Sequence, residues 1–198
     1  MAQPRLADFF SFLGLPRKLR IDMADLEQRY RALSRQFHPD YFYNAPPAER
    51  RASLERSSYL NDAYRTLRNP AARIDYLLKL EGRGAPTPGA ASKQVPPALL
   101  EEVFALNEEL DEVRSMREQA AAPEQWKARL DRARVPIEQK RAEHEAELAR
   151  LSSEWDCAID RGAPDVERVP ILHALGVRVL ERNYITNLLA GIERELNA

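Results

Sequence analysis

Cysteine is almost absent from this chain. Cys157 is the only one, so no intramolecular disulfide can form and no Cys-x-x-Cys pair exists to hold zinc or a cluster. Glycine is sparse too, seven in 198 residues, and none sits in a phosphate-cradling glycine loop. No apolar run is long enough to span a membrane, and residues 9–15 are too short, with the wrong flanks, for a signal peptide. Charge of one sign is not in excess: the net is −1, which argues against a general nucleic-acid or membrane-surface binder. The expected address is therefore cytoplasmic, with no metal and no cofactor.

What is abundant favours helix: charged residues, Ala, Leu, Glu and Arg. The length suits one medium domain or two small ones. Prolines are numerous but clustered, so they punctuate. Charge is uneven along the chain: residues 1–80 hold fourteen basic and nine acidic side chains, a net of +5, leaving −6 for the remainder. A basic first part steers toward an acidic partner.

Residues 22–37 carry Met23, Leu26, Tyr30, Leu33 and Phe37 at helical spacing, with Asp22 as N-cap and Asp25 in a capping-box position. Pro39 lacks a backbone donor and drives His38 out of helical geometry, so His38, Pro39 and Asp40 occupy a loop. A second helix follows Pro46-Pro47 and closes at Asn69-Pro70, its Leu60, Ala63, Tyr64 and Leu67 facing Leu26, Tyr30 and Leu33. The pattern is an αα-hairpin with a polar tripeptide at its tip. A short aromatic helix precedes it over residues 7–13, and another follows over residues 71–80, stopped by Gly82.

A basic amphipathic helix, His38-Pro39-Asp40 and an antiparallel return helix resemble the J-domain, the module by which co-chaperones engage DnaK-type ATPase chaperones. Asp8-Phe9-Phe10-Ser11-Phe12-Leu13-Gly14-Leu15-Pro16 and Leu60-Asn61-Asp62-Ala63-Tyr64-Arg65-Thr66-Leu67-Arg68-Asn69-Pro70 narrow the resemblance to the HscB-type iron–sulfur co-chaperones. So do the stretch from Ile74-Asp75-Tyr76 to Gly82 and Asn107-Glu108-Glu109-Leu110-Asp111-Glu112-Val113. The resemblance starts within the first ten residues, which disfavours a transit peptide and a mitochondrial address. It implies that His38, Pro39 and Asp40, with Gln28, Arg31 and Arg35 on the adjoining helix face, bind a DnaK/HscA-type ATPase chaperone and stimulate its hydrolysis of ATP. Where relatives often carry lysine after His-Pro-Asp, this chain has Tyr41.

The expected fold is all-α in two parts: a J-domain over residues 1–81, a Pro/Gly-rich linker over 82–97, and a three-helix antiparallel bundle over 98–198. In the bundle, Leu99, Val103, Leu106, Leu110 and Val113 form one stripe, while Leu100 and Phe104 widen it beyond a single seam. Those two pack on a third helix or present a patch to a partner protein. Trp126, Leu130, Ile137, Leu148, Leu151 and Trp155 read as core in a second helix that Pro136 should kink or break. Val177, Leu180, Tyr184, Leu188 and Ile192 share one side of the last helix. By resemblance, the second domain binds an IscU-type cluster scaffold through Leu100, Phe104, Glu108 and Tyr184.

His38 and Asp40 are chemically able to act as an acid–base pair, yet no nucleophile or oxyanion device accompanies them, and an enzyme is not expected. His144 and His173 lack metal-ligand spacing and are expected to be solvated and packed, respectively. Three other readings stay open: a J-domain protein with another client, a helical adaptor that stimulates no ATPase, and nucleic-acid binding through the basic helix.

Overall fold

The computed structural model describes residues 7–83 and 97–197. Its helices are α1 (Phe9–Phe12), α2 (Met23–Gln36), α3 (Pro47–Arg68), α4 (Pro70–Leu80), α5 (Leu100–Glu118), α6 (Pro123–Asp160) and α7 (Asp165–Asn197), with 3₁₀ turns at Pro39–Phe42 and Pro97–Leu99. Among the described residues there is no strand, and no helix is long and apolar enough to cross a membrane. The all-α expectation is met. The expected linker lies, from residue 84 to 96, outside the described residues. By internal contacts the chain divides into two units, residues 1–84 with 152–173, and residues 85–151 with 174–198.

In the first unit α1, α2 and α4 begin on side-chain caps, whereas α3 opens on Pro46-Pro47 without one. Asp8 accepts the Ser11 N–H, Asp22 the Ala24 N–H, and Asn69 the Ala71 and Ala72 N–H groups, which satisfies donors a helix start leaves open. Asp25 does not close a box but pairs with Arg29 at 2.8 Å. Gly14 ends α1 with φ +67°, and a Cβ there would stand 2.9 Å from the Arg29 guanidinium, which donates to the Gly14 carbonyl. Leu26 of α2, Leu60, Ala63 and Leu67 of α3 and Leu77 and Leu78 of α4 are fully buried with Phe10. Aromatics fill the rest: Phe9 stacks on Tyr76 at 4.3 Å and meets Tyr59 edge-on, while Tyr30 stacks on Tyr64 at 4.2 Å. Met23, expected on the inner stripe, is exposed because the helix has just begun there.

Residues 152–173 complete this unit. Trp155, expected in the second core, donates its indole N–H to the Arg17 carbonyl at 2.7 Å and is fully buried. Asp156 accepts the N–H groups of Leu19 (2.7 Å) and Arg20 (2.9 Å), and Lys18 pairs with Asp160 at 2.5 Å. Beneath them lies the buried guanidinium of Arg73, bonded to the carbonyls of Leu67 and Leu19. Burial pushes the Asp156 carboxyl up, against the opposing pull of its two backbone donors, and pulls the Arg73 guanidinium down.

The second unit is built on Leu99, Leu106, Val113, Trp126, Leu130, Ile137, Ile185 and Ile192, with Leu110, Met116, Tyr184, Leu188 and Leu189 packed around them. Arg117 lies 4.1 Å over the Trp126 ring and pairs with Glu195 at 2.8 Å. Arg129 pairs with Glu109, and Lys140 with Glu102 at 3.4 Å, so carboxylates of α5 meet cations of α6. Pro136 does not break α6, which runs through it. The histidine expectations are reversed. His144 is buried because it continues the seven-residue series Leu130, Ile137, His144, Leu151, whereas His173 is exposed beside the inward Leu172 and Leu175. The inner line of α7 is likewise rotated from the expected one: Leu175, Val179, Ile185 and Ile192 are buried, Leu180, Tyr184 and Leu188 are half-buried, and Val177 faces out.

Candidate functional site

The His-Pro-Asp loop starts where α2 can no longer continue. Phe37 gives its N–H to the Leu33 carbonyl at 2.9 Å as the last helical bond. Its own carbonyl, which Pro39 and the departing chain leave without a helical donor, accepts the hydroxyl of the buried Ser53 on α3 at 2.9 Å. The end of α2 is thus tied to the return helix. His38 is extended (φ −62°, ψ 127°), as a residue before proline must be, and Pro39 opens a 3₁₀ turn.

Within the turn, His38 Nδ1 accepts the Asp40 N–H at 3.3 Å, and the Tyr41 N–H donates to the His38 carbonyl at 3.1 Å. Accepting at Nδ1 places the proton of the neutral imidazole on Nε2, which is left to act as a donor. The Asp40 carboxylate is 86% exposed and the His38 ring half-exposed, so the tripeptide presents a carboxylate and an N–H donor to solvent from a pinned backbone. The Asp40 Oδ2 atom is 3.5 Å from His38 Nδ1. The ring of Tyr41 stands edge-on to that of His38 at 6.1 Å.

Gln28, Arg31 and Arg35 are all exposed on α2 and, with Ala24 and Glu27, line one shallow recess of about 330 Å³. The Arg31 guanidinium reaches back to Glu27 at 2.5 Å. The opposite side of α2 is held by the Tyr30–Tyr64 stack and by the Tyr30 hydroxyl on Asn61 at 2.9 Å. This face therefore sits on a braced helix. Among the described residues no cluster of three or more His, Cys, Asp or Glu side chains has the geometry to hold a metal ion.

In the second unit, Phe104 is 66% exposed and Leu100 38%, and Glu108 is exposed one further turn along. Residues 100, 104 and 108 follow one another at four-residue steps, turned away from the buried Leu106 and Val113. Among the described residues, neither Leu100 nor Phe104 is buried by a neighbouring helix. Tyr184 on α7 is different in kind: it is half-buried and packs on the bundle core.

Residues 8–76 match the DnaJ domain family. That span holds the His-Pro-Asp loop, both helices of the hairpin and the aromatic cluster beneath them. Nearly the whole chain is similar to human co-chaperone protein HscB, with 27% identity and a TM-score of 0.66 over 98% of this chain and 85% of that one. It is also similar to the chaperone HscB of Vibrio cholerae, at 26% identity and a TM-score of 0.59, over 95% of this chain and 96% of the other. Residues 8–76 are thus a J-domain, and over nearly its whole length the chain is similar to HscB co-chaperones.

The J-domain implies an Hsp70-type chaperone as partner. Two of its site features lie outside the expected set. Ser53 buttresses the loop through Phe37, and a mid-helix serine bears no sequence mark of that role. Tyr59 steadies the aromatic floor: burial pushes its hydroxyl up to about 12, so it stays a donor, bonded to the Ala7 carbonyl at 2.6 Å.

Proposed function

We propose that this protein stimulates ATP hydrolysis by a DnaK/HscA-type chaperone and delivers to it an IscU-type iron–sulfur scaffold, acting in the cytoplasm. Residues 1–81 serve as the chaperone-facing domain and 98–198 as the scaffold-binding domain, joined through 82–97. The observation that carries the reading is the loop itself: His38 and Asp40 are presented outward by a backbone that Pro39, the 3₁₀ turn and Ser53 hold in place. A pinned loop loses little conformational entropy on docking. The Asp40 carboxylate matches a guanidinium on the partner, the His38 Nε2 donor adds direction, and Gln28, Arg31 and Arg35 extend the contact toward an acidic surface. The loop binds better to the hydrolysis-competent arrangement of the ATPase domain, and that differential affinity shifts the chaperone toward it.

On the second domain, Leu100 and Phe104 supply the apolar centre of the scaffold contact, and Glu108 its polar edge. Tyr184 contributes from beneath, through the packing of α7.

The test is steady-state ATP turnover by the chaperone with and without this protein and the scaffold. Stimulation that rises synergistically with scaffold supports both domains' roles. The variant His38→Gln should abolish stimulation at unchanged thermal stability, because the side chain is half-exposed; full stimulation by that variant sinks the proposal and leaves a helical adaptor. Stimulation indifferent to scaffold returns the client of residues 98–198 to another protein.

A further inference from the structure

Four tyrosines of the first unit, Tyr30, Tyr59, Tyr64 and Tyr76, are engaged in ring stacks within the fold. Tyr41 and Tyr43 are not of that kind. Their exposures are 74% and 78%, whereas Phe42 between them is half-buried, so the turn sends two rings outward and one inward. The backbone that carries them is fixed by the bonds Tyr41 N–H to His38 O at 3.1 Å, Tyr43 N–H to Asp40 O at 3.4 Å and Ala45 N–H to Phe42 O at 3.0 Å. Two large rings held in water by a braced turn add nothing to the folding core. Side chains of this type, apolar in body and polar at the tip, are the ones that anchor interfaces.

We propose that Tyr41 and Tyr43 form an aromatic rim that docks on an apolar shelf of the same chaperone that receives the His-Pro-Asp loop, an inference that rests on the docking reading above. Continuity selects this occupant over a second copy of the chain: the Tyr41 ring touches the His38 ring, so a surface that approaches His38 from outside meets Tyr41 as well. The partner surface is acidic opposite Arg31 and Arg35 and apolar opposite the rim. The rim makes its contact by ring burial, and ring burial is not screened by salt.

The experiment measures binding of the full chain to the ATP-loaded chaperone, and the chaperone's turnover, at low and high salt. The proteins compared are the wild type, Tyr41→Ala, Tyr43→Ala, Tyr41→Phe, Tyr43→Phe and Tyr41→Lys. Each alanine variant should bind about five- to tenfold more weakly, the size of a moderate interface anchor, at both salt concentrations. The phenylalanine variants should bind like wild type, and Tyr41→Lys should bind well only at low salt. Maximal turnover at saturation should be unchanged for Tyr43→Ala, and thermal unfolding unchanged for all. Alanine variants that bind like wild type overturn the rim, as do phenylalanine variants as weak as alanine, since the hydroxyls would then carry the contact. A wild type that binds without stimulating, with binding weakened by Tyr43→Ala, keeps the rim and overturns the stimulating role; a wild type that does not bind overturns both.

Discussion

His144 Nδ1 lies 3.6 Å from the Glu181 carboxylate, and both side chains are buried, 4% and 6% exposed. The distance is too long for a hydrogen bond, and neither ring nitrogen has another partner among the described residues. Glu181 is instead satisfied by Arg178 at 2.6 Å. Burial dominates and holds the His144 pKa below its ordinary value; Glu181 opposes this, and Arg178 and Arg182 add to it. A histidine with a depressed folded pKa binds fewer protons in the folded state than in the unfolded one. Its folded form is therefore destabilised as pH falls below about 6.5, the unfolded value. The urea midpoint of the wild type should drop between pH 7.5 and 5.5, and His144→Gln should show a shallower drop. Parallel curves for the two proteins would show that His144 is not the titrating group.

Asp156 accepts the backbone N–H groups of Leu19 and Arg20, and it sits near the buried Arg73. Asp156→Ala should cost about 2 kcal/mol, since it strands the buried Leu19 N–H and the part-buried Arg20 N–H and removes a nearby counter-charge. Asp156→Asn keeps one acceptor oxygen and should cost less. Equilibrium urea unfolding measures both, and an alanine variant within about 0.5 kcal/mol of wild type contradicts the role.

Much of this geometry was legible in the chain, and the exceptions share a cause. The hairpin and its loop follow from local rules, because Pro39 stops a helix wherever it stands and the stripes of α2 and α3 can face only each other. The HscB-type resemblance rested on contiguous stretches and was met. The Asp156 clasp was not legible: its partners are backbone atoms of residues more than 130 positions away, and backbone atoms have no sequence identity. For the same reason helical spacing assigns Trp155 to the other core, since its Arg17 partner is a backbone carbonyl. His144 reads as solvated by residue type, although its spacing from Leu130 and Ile137 marks it as inward. For Leu100 and Phe104, helical spacing gave the width of the apolar surface but could not say whether a neighbouring helix covers it.

The Ser53 hydroxyl ties α3 to the Phe37 carbonyl at the end of α2, directly beside the His-Pro-Asp loop. Ser53→Ala should lower stability by about 1 kcal/mol, the ordinary worth of a buried hydrogen bond. The functional effect should exceed that cost, because the loop now pays ordering entropy on docking. The chaperone should need more of this variant for half-maximal stimulation, with the same maximal rate, and hydrogen exchange at Asp40 and Tyr41 should quicken. Unchanged exchange there would mean that Pro39 and the 3₁₀ turn hold the loop unaided.

Phe104 offers a separation of folding from binding. A ring that is 66% exposed gives little to the core, so Phe104→Ser should leave the thermal midpoint within a degree or two of wild type. Leu100 is less exposed, and Leu100→Ser should lower the midpoint slightly. Both variants should still stimulate the chaperone alone, since neither belongs to the unit that carries the loop. Both should lose the extra stimulation that scaffold provides, and their affinity for scaffold should fall by about tenfold or more, as expected for apolar residues central to an interface. Tyr184→Ala serves as the contrast. Its side chain packs on the bundle core, so it should lose stability as well as affinity, and the ratio of the two losses separates a contact residue from a supporting one. If Phe104→Ser keeps full synergy while remaining folded, the scaffold docks elsewhere on the second domain.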